Sequence, residues 1–171
     1  MSQVVLETVK KHQFHAIKKM ICRSFAAVQE VVTEDHIVES LRVEASYRND
    51  FEVVALKDGD VVGHGMLSEA KVGQHDKFLA LAPLTVAVDH QGQGLGGKLI
   101  AELERRAQAE GYRGILILGD PDYYQRLGYQ EAQIYGITCP FEVPSCYFMI
   151  KSLTGELKGI SGQVVYLKSL T

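Results

Sequence analysis

The first part of the chain alternates between strand-like and helix-like hydrophobic patterns. A short apolar run at residues 4–9 predicts a first strand, and the following segment predicts a helix over residues 12–25. The apolar residues of that helix recur at helical spacing: Phe14, Ile17, Met20, Ile21 and Phe25. Thr33 precedes two acidic residues, as an N-cap does, so we expect a second helix from there to about residue 46.

Three strands and a loop are predicted next. Residues 51–56 and 61–68 have strand patterns, and the Asp58-Gly59 pair between them is a strong hairpin signal. Residues 71–77 are polar, which predicts a loop. Residues 78–86 are mostly apolar, which is typical of a strand buried on both faces.

The remaining elements follow a glycine-rich segment. One face of the next predicted helix carries four apolar residues: Leu95, Leu99, Leu103 and Ala107. Later patterns predict strands at 115–118, 145–151 and 163–167 and a short helix at 123–127. A hairpin run before one strand–loop–helix–strand unit predicts an α/β fold with a mixed sheet. We expect a single domain over residues 1–171.

Composition narrows the class of protein. Hydrophobic residues are 46% and charged residues 23%, as in ordinary globular proteins, and the net charge of −3 argues against binding nucleic acid. The start of the chain lacks the layout of a signal peptide, and no apolar run reaches the roughly 18 residues of a membrane-spanning helix. The three cysteines have no metal-binding spacing. We therefore expect a cytoplasmic protein that binds neither a membrane nor a metal.

Residues 91–97, Gln-Gly-Gln-Gly-Leu-Gly-Gly, join the buried strand to the next helix. Four glycines in seven positions leave backbone N–H groups open to close approach by a ligand. The positive end of the helix dipole adds to the attraction for an anion. The segment therefore predicts a phosphate-binding loop.

Two nucleotide-binding patterns fit this loop in part. Gly92, Gly94 and Gly97 satisfy G-x-G-x-x-G, and Asp120 follows 23 positions later, about where the ribose-binding acid of a dinucleotide site should be. However, 51 residues follow Asp120, too few for a second mononucleotide half. The P-loop pattern fails at Leu99, where a Ser or Thr must bind magnesium. A glycine-rich turn without a ligand is a further alternative.

A third pattern, Q/R-x-x-G-x-G/A, is satisfied by Gln91, Gly94 and Gly96. It lies within Leu-Ala-Pro-Leu-Thr-Val-Ala-Val-Asp-His-Gln-Gly-Gln-Gly-Leu-Gly at 81–96, and Leu-Gly-Asp-Pro-Asp-Tyr-Tyr-Gln-Arg-Leu-Gly-Tyr follows at 118–129. With these two motifs in this order, the chain resembles the GCN5-related N-acetyltransferase (GNAT) superfamily, most closely its YhbS-like branch. The likeness runs from about residue 50 to the end of the chain.

The resemblance implies a fold and a cofactor. The fold is a GNAT-type mixed, mostly antiparallel central sheet flanked by helices, with central strands splayed into an acetyl-CoA cleft. The pantetheine arm is expected to pair with the backbone of Thr85, Val86, Ala87 and Val88. The pyrophosphate is expected on the loop itself, at Gln91, Gly92, Gln93, Gly94, Leu95, Gly96 and Gly97. The Gln91 amide is expected to order the loop.

Acetyl transfer to an amine requires a neutral amine, a donor for the thioester oxygen and a proton for the departing thiolate. A backbone N–H of Val86 or Ala87 is a candidate donor. The resemblance implies Tyr124 as the general acid, from its place in Tyr-Tyr-x-Arg-x-Gly-Tyr, and a phenol is protonated at neutral pH. Glu69 is the candidate base, with His64 and a chain of waters as alternatives.

The sequence therefore predicts an acyl-CoA-dependent N-acyltransferase. We expect it to transfer acetyl from acetyl-CoA to a primary amine by direct attack in a ternary complex, with no covalent enzyme intermediate. The acceptor is expected to be a small-molecule or peptide amine that the sequence does not identify, and the enzyme a monomer or homodimer. Two alternatives are a non-catalytic acyl-CoA-binding module and a nucleotide-dependent oxidoreductase.

Overall fold

The structure, a computed structural model, describes residues 3–26 and 33–171. The helices are α1 (Phe14–Ala26), α2 (Glu34–Arg42), α3 (Leu95–Ala109) and α4 (Pro121–Gln125). The strands are β1 (Val4–Thr8), β2 (Glu52–Lys57), β3 (Asp60–Val72), β4 (His75–Val86), β5 (Gly114–Leu118), β6 (Gln130–Glu131), β7 (Ile137–Thr138), β8 (Phe148–Ser152) and β9 (Gly162–Tyr166). No helix within the described residues is long and apolar enough to cross a membrane.

The chain divides into two compact units that are interleaved in sequence. Unit 1 consists of Met1–Leu67 and Ala82–Arg106, and unit 2 consists of Ser68–Leu81 and Ala107–Thr171. Strands β3 and β4 and helix α3 each contribute residues to both units.

Unit 1 contains an antiparallel ladder built from the first strands. β1 pairs with β2 along its whole length, and β2 pairs with β3 with a register shift between Ala55 and Leu56. The Ala87 N–H donates to the Val62 carbonyl oxygen at 2.9 Å, so the end of β4 also lies along β3. Val53 and Val54 have no exposed surface, which explains why this part of β2 is apolar on both faces.

Two glycines of β3 allow α3 to pack closely on the strands of unit 1. An ideal Cβ at Gly63 would lie 2.9 Å from Leu99 Cδ1, and one at Gly65 would lie 2.9 Å from Leu103 Cδ1. Real Cβ atoms do not approach that closely, so a side chain at either position would force these two leucine side chains to shift. Leu95, Leu99 and Leu103 are 5%, 0% and 1% exposed, which confirms the predicted apolar face.

Unit 2 is organised around β5. Residues 78–80 of β4 pair in parallel with residues 114–116 of β5, and β5 pairs antiparallel with β8. β8 also pairs with β6, while β9 pairs antiparallel with β3 and in parallel with β7. The core of the unit includes Val72, Phe78, Leu116, Ile137, Phe148, Ile150 and Val164.

The predicted loop at residues 71–77 is wrong. β3 continues to Val72 and β4 begins at His75, so the two strands meet in a tight turn. Ala70 and Val72 are 4% and 0% exposed whereas Lys71 is exposed, which is the alternation of a half-buried strand. Polar residues on the outer face concealed this alternation.

Other element ends also differ from the predictions. α2 ends at Arg42 rather than near residue 46, and the strand predicted at 145–151 begins at Phe148 because residues 145–147 form a 3₁₀ turn. β6 and β7 were not predicted. Each has two residues, too few to carry a periodic pattern.

Candidate active site

The glycine loop lies between β4 and α3, in unit 1. Gly92 and Gly94 have φ angles of +77° and +79°, a left-handed conformation that glycine adopts without strain. Apart from chain neighbours, no described atom lies within 4 Å of an ideal Cβ at either position. The Lys98 N–H donates to the Gly94 carbonyl oxygen at 3.2 Å, which is the first hydrogen bond of the helix. The N–H groups of residues 95–97 precede it, and such groups at the start of a helix have no intrahelical acceptor, so they are available to a ligand. The loop thus presents backbone donors and a positive helix end to open space.

Hydrogen bonds hold the path from β4 into the loop. Gln91 Nε2 donates to the Val86 carbonyl oxygen at 3.0 Å, so this amide ties the loop to the end of β4. Ser24 Oγ of α1 donates to the same carbonyl oxygen at 3.4 Å. The His90 N–H donates to the Ala87 carbonyl oxygen at 2.8 Å. The loop backbone is therefore shaped before any ligand arrives.

One of the two predicted donors for the thioester oxygen is already occupied. The Ala87 N–H donates to the Val62 carbonyl oxygen, so the prediction that Ala87 serves as this donor is wrong. Successive residues of a strand direct their N–H groups to opposite edges, so the Val86 N–H points away from β3. Val86 is therefore the better placed candidate.

A cavity of about 700 Å³ in unit 1 adjoins the same backbone. Ala87 and Val88 form part of its wall, together with residues of α1 and the start of β3. Lys19 and Arg23 contribute positive charge to its wall, and the carboxylates of Asp60 and Asp89 contribute negative charge. The cavity gives a ligand room beside residues 87 and 88.

Helix α4, in unit 2, positions Tyr124. Asp120 Oδ1 accepts a hydrogen bond from the Asp122 N–H at 3.0 Å, and Pro121 occupies the first turn, where its missing N–H costs nothing. Gly119 lies directly against the Tyr124 ring, where a Cβ would overlap the ring carbons. The Gly-Asp-Pro sequence therefore both ends β5 and places this tyrosine.

The Tyr124 ring packs between two other tyrosines. Its centroid lies 4.9 Å from that of Tyr123 and 5.7 Å from that of Tyr129, both in edge-to-face geometry. Burial raises the pKa of Tyr124 to about 12, with a smaller contribution from Tyr123. Within the part of the chain that the structure describes, the Tyr124 hydroxyl makes no hydrogen bond. The phenol is therefore protonated at neutral pH and has a hydrogen to donate.

Glu69, the candidate base, lies on β3 in unit 2. Its Oε1 accepts a short hydrogen bond from the Tyr112 hydroxyl. Tyr112 is 4% exposed, and Lys77 Nζ lies 4.9 Å from the centroid of its ring. The Glu69 carboxylate therefore satisfies a buried phenol beyond the end of α3.

A charged cluster is buried in unit 1 around Glu52, and we call it the Glu52 cluster. His64 Nε2 and Arg42 Nη2 lie 2.8 and 2.5 Å from Glu52 Oε2, and the Tyr47 hydroxyl donates to Oε1 at 2.7 Å. Glu52 and His64 have no exposed surface. Burial alone would raise the pKa of Glu52, but hydrogen bonds from His64 and Arg42 outweigh it and lower the pKa to about 2. Glu52 is therefore ionised at neutral pH.

His64 was predicted from the sequence as a candidate base, whereas its partners Glu52, Arg42 and Tyr47 were not predicted. One signal was present, because Glu52 interrupts an otherwise apolar strand and a buried carboxylate needs partners. Nothing in the spacing of these residues indicates which side chains supply them. No group of three His, Cys, Asp or Glu side chains among residues 3–26 and 33–171 is arranged to hold a metal ion.

The fold and the glycine loop agree with a comparison against known families. Residues 14–129 match the model of the acetyltransferase (GNAT) family. The chain therefore belongs to the GNAT acetyltransferases, and it is an N-acetyltransferase by class. The resemblance inferred from residues 81–96 and 118–129 is confirmed.

Named relatives support this assignment. The uncharacterized N-acetyltransferase YjhQ of Escherichia coli strain K12 is 30% identical over 172 residues, covering 92% of this chain and 93% of YjhQ. The uncharacterized N-acetyltransferase YhbS of the same strain is 31% identical over 111 residues, covering 64% of this chain and 66% of YhbS. Both carry names of the same enzyme class.

Solved structures agree with the fold. The crystal structure of YhbS from Escherichia coli in complex with CoA matches with a TM-score of 0.91 and 26% identity, over 99% of this chain and 93% of that one. A GNAT family acetyltransferase from Brucella melitensis in complex with acetyl-CoA matches with a TM-score of 0.82 and 26% identity, over 99% of both chains. The predicted α/β fold, with a largely antiparallel central sheet flanked by helices, is confirmed.

Proposed function

We propose that the protein transfers an acetyl group from acetyl-CoA to a primary amine of a small-molecule or peptide acceptor, by direct attack in a ternary complex. The observation that carries the proposal is the open glycine loop at the N-terminus of α3. Its left-handed glycines turn unpaired backbone N–H groups outward, and such groups bind phosphate well. The bound CoA and acetyl-CoA of the two solved relatives support the choice of cofactor.

We further propose that the pyrophosphate lies on the backbone of residues 91–97 and the pantetheine arm along residues 85–88. Two observations support this placement. The pairing of β4 with β5 covers residues 78–80 of β4, while the strand runs on to Val86. The cavity beside Ala87 and Val88 provides room for a ligand.

Replacing Gly94 by valine is expected to weaken CoA binding at least tenfold, about 1.4 kcal/mol, because the side chain would enter the space assigned to phosphate. Gly59→Val is the matched control. Gly59, in the turn between β2 and β3, has a φ of +82° and similarly open surroundings, so it suffers the same backbone strain away from the loop. Calorimetry on the folded variants measures both affinities. If Gly94→Val binds CoA as tightly as Gly59→Val, the phosphate lies elsewhere.

The two alternative functions considered from the sequence predict different experimental results. A non-catalytic acyl-CoA-binding module would bind CoA without consuming acetyl-CoA, so turnover of acetyl-CoA with a panel of primary amines separates it from an enzyme. A nucleotide-dependent oxidoreductase would bind NAD or ATP without competition from CoA. Membership of the acetyltransferase family favours the transferase over both.

Tyr124 is proposed as the general acid for the departing thiolate. Its pKa of about 12 lies roughly 3.5 units above that of an ordinary thiol near 8.5. Complete transfer of its proton to a free thiolate is therefore unfavourable in the resting site. Tyr124 acts instead as a hydrogen-bond donor to the sulfur as negative charge develops there. The Val86 N–H is proposed to donate to the thioester oxygen.

Replacing Glu69 by glutamine tests the remaining catalytic candidate. We expect the variant to keep more than about half of the wild-type kcat, because the amide oxygen can still accept the bond from Tyr112. A general base of this kind would instead contribute about 10²-fold or more. Steady-state kinetics at saturating acetyl-CoA measure the effect, with Tyr112→Phe as a control for loss of the contact itself. A loss of kcat seen with Glu69→Gln alone would make Glu69 the base.

We also propose the domain organisation, location and oligomeric state of the protein. A single domain over residues 1–171 is supported by the family match, since residues 14–129 include parts of both units. A cytoplasmic location and a monomeric or homodimeric state are proposed on the sequence alone.

A further inference from the structure

One face of α1 lines the cavity of about 700 Å³ in unit 1, and this face carries two cations. The residues that it contributes recur at helical spacing: Ala16, Lys19, Met20 and Arg23. The next residue, Ser24, donates from Oγ to the Val86 carbonyl oxygen at 3.4 Å, which holds this part of the helix against the end of β4. Lys19 and Arg23 are both exposed, so a ligand that enters the cavity can reach them.

The two cations repel each other and have no anionic partner. Lys19 and Arg23 are four residues apart, so their side chains are neighbours on the helix surface, where two like charges destabilise a helix. Among residues 3–26 and 33–171, neither side chain forms an ion pair with a carboxylate. The sequence of α1 contains no acidic residue that would offset the repulsion. An anion held between the two side chains would relieve it.

The negative charges of the cavity are arranged differently from the positive ones. Asp60 lies at the start of β3 and Asp89 lies in the turn after β4, so the two carboxylates come from separate segments. Both residues are exposed, so solvent and salt screen their repulsion of an anion. The positive charge, in contrast, is concentrated on adjacent turns of one helix. The favoured position for an anion is therefore on the α1 side of the cavity.

The wall of the cavity leads directly into the glycine loop. Val88, Asp89 and His90 form part of the wall, and the loop begins at the next residue, Gln91. In the proposed function, the pyrophosphate of CoA lies on the backbone of this loop. CoA carries one further phosphate, on the 3′ oxygen of its ribose, and a single sugar ring separates it from the pyrophosphate. The cavity has the usual volume of a small-molecule site, so it has room for this end of the cofactor.

We propose that Lys19 and Arg23 bind the 3′-phosphate of CoA and make the protein select CoA over dephospho-CoA, which lacks that phosphate. The inference rests on the proposed function, which places the pyrophosphate on the glycine loop. It adds a second phosphate site to the first one, built from side-chain cations of α1 rather than from backbone N–H groups.

The chemistry of the two side chains suits a phosphate monoester. Such a group carries a charge of about −1.5 to −2 at pH 7, so it can pair with both cations at once. The planar guanidinium of Arg23 can donate two parallel hydrogen bonds to phosphate oxygens, and the ammonium of Lys19 can donate to a third oxygen. Because Lys19 and Arg23 are exposed, each pair should contribute modestly, and the contribution should depend on salt.

The double variant Lys19→Met/Arg23→Met tests the site, with calorimetry on CoA and on dephospho-CoA. We expect the wild-type protein to bind CoA about tenfold more tightly than dephospho-CoA, because exposed ion pairs with one dianion each contribute a few-fold. In the double variant the two affinities should lie within about twofold of each other, and each single variant should lose part of the preference. The affinity for dephospho-CoA should stay within about twofold of the wild-type value, because the glycine loop is unchanged.

Lys11→Met/Lys18→Met is the matched control. It also removes two positive charges near α1, but neither residue lines the cavity, and Lys18 Nζ lies 3.4 Å from Glu39 Oε1 of α2. This variant should keep the wild-type preference for CoA. Lys19→Arg/Arg23→Lys retains both charges and should keep most of the preference. In the wild type, raising the salt from about 0.05 M to about 0.5 M should weaken the preference, since exposed charges are screened.

The preference is a ratio of two affinities of one protein, so a change in the stability of a variant does not mimic it. An equal loss of affinity for CoA and dephospho-CoA would overturn the inference, because the cations would then act on a group that both ligands carry. A preference that survives in Lys19→Met/Arg23→Met, or that the control also loses, would overturn it too. A wild-type enzyme that acetylates amines but binds both ligands equally would overturn the inference alone. A wild-type protein that binds neither ligand would overturn the proposed function as well.

Discussion

Replacing Arg42 by methionine is expected to lower the free energy of unfolding by about 3–5 kcal/mol at pH 7, the usual cost of breaking a buried ion pair. Arg42 Nη2 lies 2.5 Å from Glu52 Oε2, and its Nε lies 3.1 and 3.2 Å from the two carboxylate oxygens. Glu52 has no exposed surface, so the variant leaves a carboxylate buried without its cation. Methionine keeps most of the length of the side chain, so the loss is mainly electrostatic. Urea unfolding of both proteins measures it.

A second variant separates charge from packing. Glu52→Leu combined with Arg42→Met removes both charges, and it should be less destabilised than Arg42→Met alone because no unpaired charge is left. If Arg42→Met unfolds within about 1 kcal/mol of the wild type, the pair contributes no more than an exposed ion pair. That result would contradict the electrostatic role of the Glu52 cluster.

The pH dependence of stability has a defined sign. The pKa of Glu52 is lowered from an ordinary 4.5 to about 2, so the stability contributed by its charge is fully present above pH 4.5. It is lost as the pH falls from there towards 2, because the unfolded chain takes up the proton first. The difference in stability between wild type and Arg42→Met should therefore shrink below pH 4.5. Urea midpoints measured from pH 6 to pH 3 check this trend.

Local sequence patterns account for the parts of the fold and site that were predicted. The glycine loop was predictable because its glycines, the preceding apolar strand and the following helix are adjacent in sequence. The face of α3 was predictable because its residues repeat at helical spacing. The hairpin at 71–77 was missed because its outward residues are polar, and β6 and β7 because two-residue strands have no period.

Contacts between residues distant in sequence account for what was missed. Arg42 meets Glu52 across ten positions, and His64 meets it across twelve. No spacing rule connects them, because the register of β2 and β3 and the end of α2 decide the contact. The occupied N–H of Ala87 likewise depends on the pairing of β4 with β3. Such features require the tertiary structure.

Replacing Tyr124 by phenylalanine is expected to lower kcat about 10²-fold, the usual cost of removing one hydrogen-bond donor to negative charge that develops in the transition state. The substitution removes the hydroxyl and keeps the ring that packs between Tyr123 and Tyr129. The KM for acetyl-CoA should change little, since the donor acts mainly as charge develops on the sulfur. The free energy of unfolding should change by less than about 1 kcal/mol, because the hydroxyl makes no hydrogen bond to other described residues.

Tyr123→Phe is the matched control, since it removes a hydroxyl from the adjacent residue of the same helix. Tyr123 is 37% exposed, and its variant should keep kcat near the wild-type value. The Tyr124 pKa of about 12 also predicts the pH dependence of kcat in the wild-type enzyme. Ionisation of Tyr124 should cause no fall in kcat up to about pH 10, where a phenol of this pKa is still protonated. A Tyr124→Phe enzyme that retains more than about half of the wild-type kcat, with chemistry rate-limiting, would remove Tyr124 from the mechanism.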